Sequence, residues 1–323
     1  DRKGVKTIYE HDELRRVIEE KKFINDVHVS SIRHFYNNSH LVKTIDALGN
    51  ATEFFYDGAG RKSGVVVSNG PTISKTFYEY NELGQLHKTI EYANNNEAVI
   101  TVEDFDYLDR VISRRIEDLH SNMFSRTDYV YDIYGNIAET RCSDSVEHSI
   151  YNSRGELVKE IDALGNETNY IYDHNFINKI GQRVLKKTTI DSLGNSVEEI
   201  YDALGRVVKQ IKGLLRIESQ YDFAGNLVSR TFFDGDVPKQ KTVFKYGFEG
   251  RLLEAIENAY ARDIRKKVYV YNQFGQLSSV TQPDGSILSY EYDPCNNLVK
   301  FCGSDFCYNY FYDCNGKLIR VVD

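Results

Sequence analysis

The sequence predicts an all-β chain, an array of β-hairpins forming a curved, single-layer sheet, with residues 1–323 as one domain. Three observations carry that expectation. A short unit recurs along all 323 residues. Every well-formed copy holds turn residues at fixed offsets between aromatic and β-branched runs. No long helical period interrupts the rhythm. The stretch from Arg251 to Arg265 has the best helical composition, but its neighbours keep strand-turn spacing, so it reads as strand with a longer loop. Self-similarity at a period of roughly 20–50 residues points to a repeat array rather than a domain around one core.

The clearest unit is Tyr201-Asp202-Ala203-Leu204-Gly205-Arg206-Val207-Val208. Asp opens a type I turn, because its side chain can accept a hydrogen bond from the backbone two residues on. Gly205 supplies the positive φ of a G1 bulge, which matches the turn to the strand twist. Asp202 then sits opposite Arg206, and Tyr201 opposite Val207. Period-2 alternation puts Tyr201, Val207, Glu199 and Lys209 on one face, with Ile200 and Val208 on the other. The Tyr201–Val207 cross-strand pair contributes roughly 0.2–1 kcal/mol.

In chain order, the aromatic position is held by His11, Tyr36, Tyr56, Tyr80, Phe105, Tyr131, Tyr151, Tyr172, Tyr201, Tyr221, Tyr246, Tyr271, Tyr292 and Tyr312. The acid beside it is Asp57, Asp132, Asp202, Asp222 or Asp313 in the copies closest to the pattern. The glycine position holds Gly60, Gly84, Gly135, Gly155, Gly205, Gly225, Gly250, Gly275 and Gly316. Asp109 and Asn296 replace glycine in two units, and both residue types tolerate the left-handed conformation. The units at His11, Tyr36 and Tyr172 are degenerate; Arg15 stands at the glycine position of the first, and the second is one residue short.

A second row of turns lies between these. Asp46-Ala47-Leu48-Gly49-Asn50, Asp162-Ala163-Leu164-Gly165-Asn166 and Asp191-Ser192-Leu193-Gly194-Asn195 are nearly identical. Asn69-Gly70-Pro71, Asn94-Asn95-Asn96, Asp234-Gly235-Asp236, Pro283-Asp284-Gly285 and Gly303-Ser304-Asp305 take equivalent places. Each repeat is therefore two strands, giving about 28 strands at roughly 4.8 Å spacing. A second aromatic often stands two residues before the first, as in Phe54/Tyr56, Tyr78/Tyr80 and Tyr290/Tyr292, and is expected to form ladders of offset rings.

Composition narrows the function classes. The net charge of −8 does not suggest a nucleic-acid footprint. No apolar run approaches the roughly 20 residues of a membrane helix, so no membrane insertion by this segment is expected. Tyr numbers 24 while Trp is absent and Pro only 4, a bias that follows from one aromatic being used in each repeat. The turn aspartates read as structural. The histidines form no pair at metal-binding spacing, and no nucleophile elbow, phosphate-binding loop or HExxH appears. No catalytic residue, metal or cofactor is expected. Asn37, Asn50 and Asn166 begin sequons, two of which are by-products of the turn.

Cysteine is the irregular feature. Cys142 is alone, while Cys295, Cys302, Cys307 and Cys314 lie within 20 residues. Free packed thiols, a disulfide and a metal site are three readings of that cluster. The spacing lacks paired C-x₂₋₄-C knuckles, so stoichiometric zinc is not expected. Cys302 and Cys307 flank a Gly-Ser-Asp-Phe turn and could face each other across a hairpin.

The recurring Tyr-Asp-x-x-Gly-[Arg/Asn]-[Leu/Val] units, with Asp-x-x-Gly-Asn-x-Thr segments between them, resemble the YD repeats of the Rhs/YD-repeat proteins. That group includes bacterial Rhs polymorphic toxins, the BC component of insecticidal toxin complexes, and teneurins. The resemblance covers essentially the whole chain and implies a spiralling sheet that forms part of a hollow shell. It implies a wall segment that encapsulates a toxin or effector, secreted or at a bacterial cell surface, without catalysis. Its implied partners are the remaining repeats and C-terminal effector segment of a longer chain, and a second shell-forming protein. A teneurin-type adhesion or carbohydrate-binding module is the alternative. The chain departs from Rhs toxins in holding no closing core segment with a self-cleaving aspartate pair, no effector and no delivery module. The sequence therefore reads as a fragment of a longer chain.

Overall fold

A computed structural model describes residues 5–69, 72–92, 97–258, 264–313 and 315–323. Among them twenty-eight strands alternate with turns, from Val5–His11 to Leu318–Val322, in one open sheet without a helix. The strands are antiparallel to their neighbours in sequence. Val5–His11 pairs with Val17–Ile24, which pairs with Val27–Asn37, and Cys307–Tyr312 pairs with Leu318–Val322. Sequential pairing follows from two- to five-residue turns, which cannot carry the chain past a neighbouring strand. The chain forms two compact units. One comprises Asp1–Arg126, Val270–Val280 and Ser286–Asp323; the other comprises Thr127–Tyr269 and Thr281–Gly285.

The repeat aromatics end alternate strands, as in Ala51–Tyr56, Met123–Tyr131, Ser196–Tyr201 and Cys307–Tyr312. The turn that follows has the expected form. The Asp202 N–H donates to the Arg206 carbonyl at 2.9 Å and the Gly205 N–H to the Asp202 carbonyl at 3.1 Å. Gly205 has φ 77°, and Asp109, Asn296 and even Arg15 adopt the same region at 67°, 75° and 61°. The stretch around Arg251 to Arg265 gives strands Leu252–Glu257 and Arg265–Tyr271; residues 259–263 between them lie outside the described residues, as do Gly70, Pro71, Asn94, Asn95, Asn96 and Cys314.

The structure corrects three expectations. A second β-bulge follows the turn. Tyr201 pairs with Val207, but Ile200 pairs with Lys209 and Glu199 with Gln210. The extra residue moves Lys209 onto the face of Ile200 instead of that of Tyr201. The same shift recurs beside Tyr56, Tyr80, Tyr131, Tyr151, Tyr221 and Tyr312. Such bulges bend a strand and increase its twist. Next, the unit at Tyr172 is not degenerate but displaced. Strand Glu167–Ile177 runs past Tyr172 with a register shift between Asp173 and Phe176, and a full turn forms at Asn178–Gln182 with Gly181 at φ 79°.

Finally, the aromatic ladder is largely replaced by other partners. Tyr290 does stack on Phe301 with centroids 5.0 Å apart. Elsewhere the cross-strand position is aliphatic or β-branched, as in Phe54 opposite Val65, Tyr78 opposite Thr89 and Tyr129 opposite Thr140. Lysines cover other rings, Lys62 over Phe54 and Lys187 over Tyr170.

No central core exists among the described residues. No large side chain is fully buried, and the buried hydrophobics are Ala98, Ile100, Val102, Val184, Ala255 and Val280. Ala98, Ile100 and Val102 alternate along strand Ala98–Phe105 with exposed Val99 between them, as a strand with one sheltered face requires. Burying a side chain such as Ile100 contributes about 1.5–3 kcal/mol, so cohesion must come from many neighbour-to-neighbour contacts.

A Cβ at Gly205 would meet nothing within 4 Å, so only backbone strain opposes substitution there. Gly205→Val is expected to destabilise the chain by about 1–2 kcal/mol, and Gly205→Asn by clearly less, because Asn tolerates positive φ. Urea denaturation of both variants checks this; equal losses would remove the backbone explanation.

Candidate functional site: the rim of hairpin turns

Most of the five-residue turns are held by one acidic or amide side chain at the first position; the turn Gly247–Arg251 closes with glycine there. Asp57 Oδ1 accepts the N–H groups of Ala59 and Arg61, both at 2.9 Å, and its Oδ2 accepts Arg61 Nε at 2.7 Å. Asp202 repeats this with Leu204 and Arg206. Asp132 and Asp222 do the same with Asn136 and Asn226, whose Nδ2 replaces the guanidinium at 2.9 Å. Asp313 Oδ1 accepts the N–H groups of Asn315 and Lys317. One carboxylate thus satisfies donors that the reversal of the chain would leave unpaired.

At Asp57, Asp132, Asp202 and Asp222 these bonds favour the charged form and hold the carboxyl below its ordinary value. At Asp57 the leading cause is the Arg61 N–H; at Asp132 and Asp222 it is the side-chain amide of Asn136 or Asn226. At Asp202 burial pushes upward most strongly, and the Arg206 N–H and guanidinium together outweigh it.

In several repeats the residue after glycine also ties one turn to the next. Arg61 and Arg206, already bonded to their own aspartates, lie over the rings of Tyr80 and Tyr221 at 4.4 and 4.6 Å. Arg206 Nη1 also donates to the Asp222 carbonyl at 3.3 Å. Gln276 Nε2 donates to Asn296 Oδ1 of the following turn at 2.6 Å. This close approach is a second reason for glycine at two positions: a Cβ on Gly60 or Gly84 would stand 3.2 Å from His40 Nε2 or 3.3 Å from Arg61 Nη1.

The repeat tyrosine completes the link. Tyr56, Tyr80, Tyr221 and Tyr312 donate their hydroxyls to the carbonyls of Leu41, Lys62, Val207 and Leu298, at 2.8–3.0 Å. Tyr36, Tyr172 and Tyr246 do so to Val17, Leu157 and Leu227. The acceptor always lies just after the polar residue of the preceding turn. Because a carbonyl is used, Lys62 serves as well as Leu or Val. Tyr201 differs, donating to Glu199 Oε2 at 3.0 Å. Tyr131 and Tyr151 pair across their hairpins with Ile137 and Leu157, and Tyr271 ends strand Arg265–Tyr271. Gly135, Gly155, Gly225, Gly275 and Gly316 share the left-handed position.

From sequence the residue after glycine is merely polar and the tyrosine a residue of one sheet face. The recurrence of Arg, Asn or Gln at that place was the available signal; the inter-repeat hydroxyl bond had none, since its acceptor is backbone.

In the unit containing both ends of the chain, turn Asp46–Asn50 of the second row meets turn Asp293–Asn297 of the aromatic row. Cys295 Sγ donates to Asp46 Oδ2 at 3.4 Å, and Leu48, Asn50 and Tyr312 line the cleft beside them. Burial first, and then the Asp46 charge, push the Cys295 thiol up to about 11. It is therefore a hydrogen-bond donor at neutral pH and not a thiolate nucleophile. Cys302 and Cys307 are a cross-strand pair with Cα atoms 4.1 Å apart and form a disulfide. Cys142 is exposed and free. Among the described residues no group of three His, Cys, Asp or Glu side chains is placed to hold a metal ion.

Residues 271–300 match the RHS Repeat family. No curated protein sequence matches the chain. Its fold is that of chains in a TcdB2–TccC3–Cdc42 crystal structure, at 14% identity and TM-score 0.53, covering 97% of this chain and 21% of that one. A TcdB2–TccC3–TEV structure is alike at 14% identity, TM-score 0.52, and 98% and 21% coverage. A Photorhabdus luminescens Tc holotoxin pore carrying a TccC3 mutation gives 14% identity, TM-score 0.50, and 97% and 21% coverage. The chain thus spans about a fifth of the length of these solved chains. The resemblance to Rhs/YD-repeat proteins holds in both repeat and fold.

Two outcomes test the rim. Tyr221→Phe removes one inter-repeat hydrogen bond and is expected to cost about 0.5–1.5 kcal/mol by urea denaturation; no loss would make that bond irrelevant. The lowered carboxyl pKa values set a pH dependence. A depressed folded pKa gives stability that is present above the unfolded value of about 4 and lost as pH falls through the folded value. Thermal melts should therefore hold steady from pH 7 to about 5 and fall in more acid solution. Asp202→Asn should melt below the wild type at pH 7, with the gap narrowing toward pH 2. A constant gap would show that the carboxylate charge is not its cause.

Proposed function

We propose that the chain is one continuous repeat array within a longer protein, forming part of the wall of a shell that encloses a toxin or effector segment. It performs no catalysis of its own. The observation that carries this reading is the rim. Aromatic-row turns such as those headed by Asp57 and Asp202 spend their polar groups on their own reversal and on the next repeat, which suits a wall that must be continuous and thin. The shared fold with chains of TcdB2–TccC3 assemblies and of a Tc holotoxin pore supports it. The partners are the remaining repeats, a C-terminal effector segment of the same chain and a second shell-forming protein. The site of action is outside the bacterial cell or at its surface. A single-layer sheet with alternating side chains can twist and curl so that one face borders an enclosed space.

The full-length protein, expressed with and without these repeats, tests the proposal by limited proteolysis and a toxicity assay. With the repeats, the downstream segment is expected to resist protease and to be harmless until released. Equal protection and equal harmlessness without them would defeat the container reading.

A further inference from the structure

Three turns of the second row share one sequence form, Asp-[Ala/Ser]-Leu-Gly-Asn, and one internal geometry. In each, the aspartate Oδ1 accepts two backbone N–H groups and Oδ2 accepts the asparagine Nδ2: Asp46 with Asn50, Asp162 with Asn166, and Asp191 with Asn195. Their surroundings differ. At the first, turn Asp293–Asn297 sits against it, Asn50 is 6% exposed and Leu48 45%. At the other two every turn residue is exposed, and Leu164 and Leu193 stand 88% and 85% open. Identical turns with identical internal bonding do not need their surroundings to form, so the difference lies in what covers them.

The covered copy shows what the cover is. Its occupant is a turn of the aromatic row, and the contacting residue, Cys295, holds the third position of that turn, where Leu204 stands in the clearest repeat. A small side chain there leaves room for Leu48, and its thiol reaches the carboxylate oxygen that also holds Asn50. Leu164 and Leu193, presented on rigid five-residue turns, expose large apolar side chains beside carboxylates with the same free approach. Isolated exposed leucines are ordinary, but these two repeat an arrangement that elsewhere in the same chain is a contact.

We infer that turns Asp162–Asn166 and Asp191–Asn195 are docking sites for further turns of the aromatic row, belonging to repeats outside these 323 residues. The matching turn carries a small thiol or hydroxyl donor at its third position, as Cys295 does. This rests on the proposal that the chain is part of a larger repeat array, but not on that array enclosing anything.

The test uses the full-length protein in a Cys142→Ser background. Leu164→Cys and Leu193→Cys are labelled with a maleimide in native and in denaturing solution, with the native thiol Cys295 as the covered reference, each site read by peptide mapping. Native labelling at least tenfold slower than denatured labelling is expected at all three; native rates within twofold of denatured at 164 and 193 would overturn the inference. A photo-crosslinking residue at 164 and 193, followed by peptide mapping, identifies the cover. Crosslinks to an aromatic-row turn outside residues 1–323 support the inference. Crosslinks to a second copy of this chain or to a non-repeat segment overturn it. Failure of the downstream segment to be protected, with these crosslinks present, would defeat the container reading and leave the docking intact.

Discussion

The five-residue turns of this chain depend, with the exception of Gly247–Arg251, on one acidic or amide side chain at the head of the turn. A five-residue reversal leaves backbone donors without partners, and an acid or amide at the first position reaches them; the turn Gly247–Arg251 forms without one. Asp57 and Asp202 accept two N–H groups and a guanidinium each. That arrangement brings the residue after glycine over its own turn and points it at the following repeat. From there the guanidinium meets the next tyrosine ring, and that tyrosine reaches back to a carbonyl. A local requirement of the turn therefore becomes the bond between repeats.

The same logic accounts for what the chain lacks. A single layer has no interior in which large side chains can disappear, and none among the described residues is fully buried. Cohesion is a sum over neighbours, each contact modest, as in other quasi-one-dimensional arrays. Tyrosine suits this role better than phenylalanine, since its ring packs on a half-sheltered face while its hydroxyl finds a backbone acceptor. The strand Leu318–Val322 is exposed along its length and pairs with Cys307–Tyr312.

The contact between turns Asp46–Asn50 and Asp293–Asn297 adds a second kind of cohesion, between repeats 249 residues apart. It uses a thiol held in its neutral form by burial and a nearby carboxylate. A cysteine so placed is protected from oxidation chemistry that needs a thiolate, whereas Cys142 is open to solvent. The environment of Cys295 fits a structural role at the contact between these two turns.

The sequence by itself determined the fold class, the strand alternation and the position of most turns, because the five-residue reversal favours particular residues: an acid or amide first, and a residue tolerant of positive φ fourth. Gly205, Asp109 and Asn296 were legible for that reason. Where the chain gains extra residues, the demand shifts and the alignment fails, as at Tyr172, whose turn forms instead at Asn178–Gln182. Only the tertiary structure decided the rest. The bulge that turns Lys209 toward the face of Ile200 depends on how two strands share hydrogen bonds. The tyrosine hydroxyl's acceptor is a carbonyl, which every residue possesses and no sequence marks. The meeting of Asp46 with Cys295 depends on the path of the intervening chain, which short-range residue preferences do not encode. Turns Asp46–Asn50 and Asp162–Asn166 are identical in sequence, yet Asn50 is buried and every residue of the other is exposed, because burial belongs to the assembly of repeats and not to the repeat.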